Sequence, residues 1–163
     1  MKVPDLFLTY MNHDRPRLIA NHAGTHILNS LYGITLHHGR KQLGKELLPI
    51  ASLNSLTLLG AEMVGRAYGG GLLKLEPREA DFLPIASKAT LEQCSDELRA
   101  ISPQLAPALR QGDGSRAVEM VDNIVLKGVL KVTNADIKTL RTAREAFFER
   151  RKARGRGDRG ENR

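Results

Sequence analysis

The segment LLPIASLNSLTLLGAEMVGRAYGGGLLKLEPREADFLP, residues 47–84, changes its pattern three times. Apolar residues recur at helical spacing, three glycines interrupt them, and a short leucine-rich run then leads to a proline-started turn. We therefore predict a helix over residues 43–67, a break at 69–71, a strand over 72–75 and a helical turn from residue 76.

Three short runs rich in strand-forming residues precede this segment, at residues 5–11, 17–21 and 25–37. In the third run, Ile27 and Leu31 also fit a helical spacing. Its period-two face, however, consists of four apolar or aromatic residues, Leu28, Tyr32, Ile34 and Leu36. The runs predict a small antiparallel sheet packed by the apolar helix.

The remainder of the chain has helical patterns. Capping-box sequences at residues 90–93 and 133–136 predict two helix starts. We expect Pro103 and Pro107 to limit the first of these helices to short pieces, because proline removes a backbone donor.

Together these patterns predict an α+β fold, with a small antiparallel sheet packed by an apolar helix, a C-terminal helical bundle and a basic disordered tail. We divide the chain into an α+β unit over residues 1–86, a helical region over 87–152 and the disordered tail over 153–163.

The net charge of +7 is concentrated near one end of the sequence. Residues 138–163 contain ten basic and four acidic residues, whereas residues 1–137 contain 15 basic and 14 acidic ones. The excess positive charge therefore lies in residues 138–163, and it does not show that residues 1–137 bind nucleic acid. The tail itself is consistent with phosphate contacts or with a solvated, flexible end.

Catalytic signatures are missing from the sequence. It has no G-x-G-x-x-G or G-x-S-x-G motif, and Gly60-x4-Gly65 lacks the Lys-Ser/Thr pair of a phosphate loop. All five histidines lie in the first 38 residues without an H-E-x-x-H pattern, so we predict no metal site. The single cysteine, Cys94, lies on an apolar helical face, which predicts an inert thiol and fits a reducing cytoplasm.

The three consecutive glycines allow two interpretations. In the first, the glycines end the preceding helix and turn the chain into a strand. In the second, their backbone N–H groups form an anion nest flanked by Arg66, Lys74 and Arg78, which suits a DNA phosphate. The partial negative charge at a helix C-terminus argues against the second interpretation.

Polar residues in the strand–turn region are of the types that contact bases and phosphates. These candidates are Arg15, Arg17, Asn21, Asn29 and Tyr32. The plain alternative is that they form the solvated edge of a small sheet.

Several segments resemble the C-terminal, target-recognition region of bacterial adenine-specific DNA N6-methyltransferases of restriction–modification systems. The most specific is Tyr-Gly-Gly-Gly-Leu-Leu-Lys-Leu-Glu-Pro-Arg-Glu-Ala at residues 68–80. Others are Arg-Pro-Arg-Leu-Ile-Ala-Asn at 15–21, Leu-Asn-Ser-Leu-Tyr-Gly at 28–33, Leu-Asn-Ser at 53–55 and Leu-Pro-Ile at 83–85.

The resemblance implies a DNA-recognition role for the 1–86 unit, with double-stranded DNA and a catalytic methyltransferase domain as partners. In that family the catalytic half binds S-adenosylmethionine through a Gly-containing loop and holds the flipped adenine with an Asn/Asp-Pro-Pro-Tyr/Phe motif. Neither motif is present here, so the cofactor is expected on a separate catalytic domain. The chain would then be one product of a split gene, a truncated remnant or a separate subunit.

On this interpretation Arg66, Lys74 and Arg78 are phosphate-contact candidates, and Arg17, Asn21 and Asn29 are base-edge candidates. Two other classes remain open. One is a stand-alone nucleic-acid-binding accessory protein that uses its basic tail, and the other is a helical protein-interaction module.

Overall fold

A computed structural model describes residues 2–27 and 31–157 of the chain. Strands β1–β6 span Leu6–Thr9, Met11–Asn12, Leu18–Ala20, Leu31–Ile34, Arg66–Tyr68 and Leu72–Lys74. Helices α1–α7 span Lys41–Ala51, Ser55–Val64, Pro77–Ala80, Lys88–Gln93, Ser95–Arg110, Gly114–Val121 and Asn134–Gly157, and a π-helical segment, Asp122–Val129, follows α6. The predicted α+β fold, with small antiparallel sheets before a helical C-terminal region, is confirmed.

Two three-stranded antiparallel sheets replace the single sheet that the sequence predicted. The run at residues 5–11 divides at Tyr10, because β1 pairs with β3 and β4 whereas β2 pairs with β6. The strand orders are β3-β1-β4 and β2-β6-β5. Strand β5 was not predicted, because its residues were assigned to the end of the 43–67 helix.

The prediction of one helix over residues 43–67 is wrong. The helical stretch His38–Ala51 and helix α2 meet at an angle of 85°. The break is local: the side chain of Asn54 accepts a hydrogen bond from the Thr57 backbone N–H at 2.9 Å and so caps the start of α2. Gly65 ends α2, so the glycine run does not.

Helix α5 continues through both of its prolines to Arg110, which corrects the prediction of short pieces. Pro103 and Pro107 are exposed, while Leu105 and Ala108 are buried on the packed side of the helix. Burial of that apolar side stabilises the helix despite the missing backbone donors. The cap before α4 is Ser87 rather than the predicted Thr90.

A single apolar core includes residues from both predicted segments of the chain. Its fully buried members include Leu6 and Leu47 from the first segment and Leu98, Val121 and Leu126 from the second. The two predicted segments therefore both contribute to this apolar cluster.

The long helix α7 lies across α2 and the glycine-rich turn between β5 and β6. The side chain of Thr133 caps its start by accepting a hydrogen bond from the Asp136 backbone N–H at 3.1 Å, as the sequence predicted. The helix includes residues 153–157, which were predicted to belong to the disordered tail. Residues 158–163 of that tail lie outside the described residues.

Candidate nucleic-acid interface

One face of the β2-β6-β5 sheet contains two of the predicted phosphate-contact residues. The register places Arg66 on β5 directly opposite Lys74 on β6, and Tyr68 opposite Leu72. Because side chains alternate between faces along a strand, these four residues share one face. Leu73 points to the other side and is 1% exposed, so the shared face is the outer one.

Tyr68 lies on this outer face, and the other two tyrosines lie nearby: Tyr10 directly precedes β2, and Tyr32 is on β4. The ammonium of Lys74 lies 5.1 Å from the centre of the Tyr68 ring. The rings of Tyr10 and Tyr32 are 5.3 Å apart, and the Tyr32 hydroxyl donates a hydrogen bond to the Leu75 carbonyl at 3.1 Å. That bond connects the two sheets.

Burial, reinforced by the negative charge of Glu76, raises the pKa of Tyr32 above its usual value. Its phenol therefore stays neutral and keeps its hydrogen bond over the physiological range. We call Arg66, Tyr68 and Lys74 together the tyrosine–cation face.

Two glutamates hold the cations of this face in position. Arg66 pairs with Glu79, and Lys74 pairs with Glu76 at 2.7 Å. The backbone N–H of Glu76 donates to Glu79 at 2.8 Å, and this bond together with Arg66 lowers the pKa of Glu79. The hydrogen bond to Glu76 raises the pKa of Lys74. Lys74 therefore remains charged at neutral pH.

The third phosphate-contact candidate, Arg78, lies on α3 and is exposed. Within the described residues it has no carboxylate partner. The three candidate cations near the sheet thus exceed the two glutamates by one charge.

The glycine run at residues 69–71 is a hairpin turn between β5 and β6. Gly70 and Gly71 have φ angles of 73° and 77°, which L side chains rarely adopt. Gly71 is buried beneath α7, and a Cβ added to Gly155 of that helix would overlap the Gly71 amide nitrogen. No anion fits against that amide, so the nest interpretation is wrong for Gly71, and the glycines serve the turn and the close approach of α7.

The remaining site candidates are dispersed. Asn21 is 2% exposed, and its amide donates to the carbonyls of Pro4 and Thr25 while it accepts from the Thr25 N–H. These bonds leave it no free group for a base edge, so we do not include Asn21 in the interface. Arg15 and Arg17 border a separate cleft. Asn29 lies outside the described residues.

A family model for the C-terminal domain of type II methyltransferase M.Eco57I matches residues 1–126. The chain belongs to this family. The match confirms the resemblance to methyltransferase C-terminal regions that the sequence motifs indicated. Comparison with curated proteins and with solved structures gave no match.

The match to the family model ends within the π-helical segment, so α7 lies wholly beyond the matched residues. Three arginines of α7 nevertheless pair with carboxylates of the domain. Arg141 binds Asp122 at 2.8 Å, Arg144 binds Asp14 at 2.7 Å, and Arg151 binds Glu62 at 2.7 Å.

The last of these pairs is buried on both sides, with side chains 4% and 3% exposed. The Arg151 guanidinium makes two parallel bonds to the Glu62 carboxylate and also donates to the carbonyls of Gly71 and His13. The sequence placed Arg151 in the helical region over 87–152 and predicted no partner for it. The signal that could have revealed the pair is Glu62 itself, an acid within an otherwise apolar helix.

The described part of the family domain and α7 contains neither a metal-binding cluster nor a membrane-spanning single helix. No group of three His, Cys, Asp or Glu side chains there is arranged to hold a metal ion. Neither is any single helix there both long enough and apolar enough to cross a membrane.

Proposed function

We propose that this chain is the DNA-recognition part of an adenine-N6-specific type II methyltransferase of a restriction–modification system. Family membership supports the association with a methyltransferase. The observation that carries DNA recognition is the convergence of Arg66, Tyr68 and Lys74 on one exposed sheet face.

The shape and chemistry of this face suit a DNA duplex. The major groove of B-DNA admits a two-stranded β-ribbon, and the β5–β6 hairpin forms one exposed edge of the β2-β6-β5 sheet. Lysine and arginine neutralise phosphates, while exposed tyrosine offers a ring and a hydroxyl for groove or sugar contacts. Tyr68 is 54% exposed and the Arg66 side chain 72% exposed, so both can reach a ligand.

The two glutamates pair with two cations of this face when no ligand is bound. In the free protein Glu76 and Glu79 hold the cations, and on binding a phosphate oxygen replaces one carboxylate contact of each cation. Each pair has one partner with a side chain at least 40% exposed, and such solvent-screened pairs contribute only about 1 kcal/mol, so the exchange costs little. Among the described residues, Arg78 has no carboxylate contact to exchange.

The methylation chemistry belongs to another domain under this proposal. The sequence lacks the loop that binds S-adenosylmethionine and the Pro-Pro motif that holds a flipped adenine. We therefore assign cofactor, base flipping and methyl transfer to a separate catalytic domain or subunit, with which this cytoplasmic chain acts on the same duplex.

Fluorescence anisotropy with a labelled duplex, measured from low to moderate salt, tests the proposed face. Wild-type protein should bind, and the logarithm of its affinity should fall with log salt at about 0.9 per phosphate contacted. The double variant Arg66→Gln/Lys74→Gln should reduce that slope by about two.

The matched control is Arg110→Gln/Lys138→Gln, which removes the same two residue types from exposed positions on α5 and α7. Its slope should stay close to that of the wild type. Equal effects of the two double variants, or no duplex binding by the wild type with and without a catalytic partner, would reject the proposed face.

A further inference from the structure

A cleft of about 540 Å³, separate from the tyrosine–cation face, brings four arginines together from two parts of the chain. Arg15 and Arg17 lie in the loop after β2, and Arg141 and Arg144 lie on α7. Gly114 and Ser115, at the start of α6, also line it. We call this site the arginine cleft.

Arg15 is held in the wall of this cleft with an incomplete set of acceptors. Its side chain is 13% exposed and pairs with Asp14, and a Cβ added to Gly114 would lie 3.2 Å from its Nη1. Its Nε is buried, and within the described residues no protein atom accepts its hydrogen bond. A buried donor without an acceptor is costly, and an oxygen of an incoming anion would satisfy it.

The guanidinium groups in the cleft outnumber the carboxylates within hydrogen-bond distance of them. Arg15 and Arg144 both bond the carboxylate of Asp14. Arg141 pairs with Asp122, whose oxygens are also bonded by the backbone N–H and the hydroxyl of Ser55. At that distance, three guanidinium groups of the described residues share two carboxylates.

Arg17 adds a fourth cation. It is exposed and has no carboxylate partner among the described residues. Two exposed acids, Glu119 and Glu145, also line the cleft. The Glu145 carboxylate is 60% exposed and lies 3.6 Å from Arg144, so solvent and salt screen it strongly.

We propose that the arginine cleft binds a phosphate group, and that its source is a backbone phosphate of the duplex held by the tyrosine–cation face. The second part of this inference rests on the proposed function. Arg15 lies four positions after Met11, which pairs with Lys74, so the Cα atoms of Met11 and Arg15 are at most about 14 Å apart. One helical turn of B-DNA is about 34 Å long, so a single duplex is long enough for both sites.

A charge placed in the cleft tests this without disturbing the fold. Ser115→Asp puts a carboxylate at the second residue of α6, where a negative charge favours the helix. Ala89→Asp, at the second residue of α4, is the matched control, since both positions are exposed. Arg17→Gln removes the unpaired cation and leaves no carboxylate uncompensated.

Two measurements are needed on the full chain. One is the affinity for a labelled duplex as a function of salt, and the other is the NMR signal of the Arg15 Nε–H group during titration with the duplex or with inorganic phosphate. Both ligands should shift that signal. Ser115→Asp and Arg17→Gln should each weaken duplex binding by at least about fivefold and lower the salt slope by about one, whereas Ala89→Asp should do neither.

The outcomes separate this inference from the proposed function. If the duplex binds and the cleft variants match Ala89→Asp, the cleft has no role in binding DNA and the inference fails alone. If the duplex does not bind but phosphate shifts the Arg15 signal, the proposed function fails and the cleft is a site for a small phosphate. If neither ligand shifts the signal, the phosphate site is overturned.

Discussion

Replacing Arg151 by methionine should destabilise the protein far more than the same change at the adjacent Arg150. Arg151 lies near the end of a charged helix, yet its side chain is 4% exposed and makes two bonds to the buried Glu62 carboxylate. Arg150 is exposed. The two residues have the same type and neighbouring positions in α7, so their comparison isolates the effect of the buried pair.

The expected magnitude follows from the carboxylate that Arg151→Met leaves behind. Removing one member of a buried ion pair costs about 3–5 kcal/mol, because the other charge remains in an apolar site. Loss of the bonds to Gly71 and His13 acts in the same direction. For a chain of this size the midpoint of thermal unfolding should fall by roughly 6–20 °C.

Urea unfolding followed by circular dichroism measures this difference. Arg150→Met should change the free energy of unfolding by less than about 0.5 kcal/mol. The double variant Glu62→Met/Arg151→Met should recover most of the loss, because two apolar side chains then fill the site without a stranded charge. A similar small cost for Arg150→Met and Arg151→Met, or no recovery in the double variant, would refute the assignment of a buried, coupled pair.

Three further outcomes follow from local geometry. Gly155→Ala should lower the midpoint of thermal unfolding, although alanine favours helices, because its Cβ would overlap the glycine hairpin. Gly69→Ala is the control for crowding, because no atom lies within 4 Å of its added Cβ. Asn54→Ala should cost about 1–2 kcal/mol in urea unfolding, because it removes the α2 cap. Burial, reinforced by Glu97, raises the pKa of Cys94, so a thiol reagent at pH 8 should label it only after unfolding.

The sequence predicted those elements whose signals are local. The strand runs and the cap at Thr133 depend on neighbouring residues, and the structure has both. The break before α2 also had a local signal, the Asn54-Ser55 pair, but the continuous apolar stripe over residues 43–67 dominated the interpretation. A stripe records which residues are buried and does not show that one helix buries them all.

The arrangement of side chains at the candidate site depends on contacts between residues that are not neighbours in the sequence. Arg66 lies opposite Lys74 only because β5 exists, and those residues were predicted to be helical. The resemblance brought the two residues together as candidates without giving their geometry. For Asn21 the sequence suggested a DNA contact where the structure has an internal one. A polar side chain that could bond a base edge can equally bond the backbone of a loop, as Asn21 does with Pro4 and Thr25.

Helix α7 connects stability to the proposed DNA surface. The matched family residues bury the carboxylates of Glu62 and Asp122, and α7 supplies the arginine for each. Arg151 also binds the carbonyl of Gly71, in the turn that joins the two strands of the tyrosine–cation face. Helix α7, which lies beyond the matched residues, therefore helps to position the cations of that face. Arg151→Met should accordingly weaken duplex binding while leaving the salt slope unchanged, because the residue is buried and neutralises no phosphate.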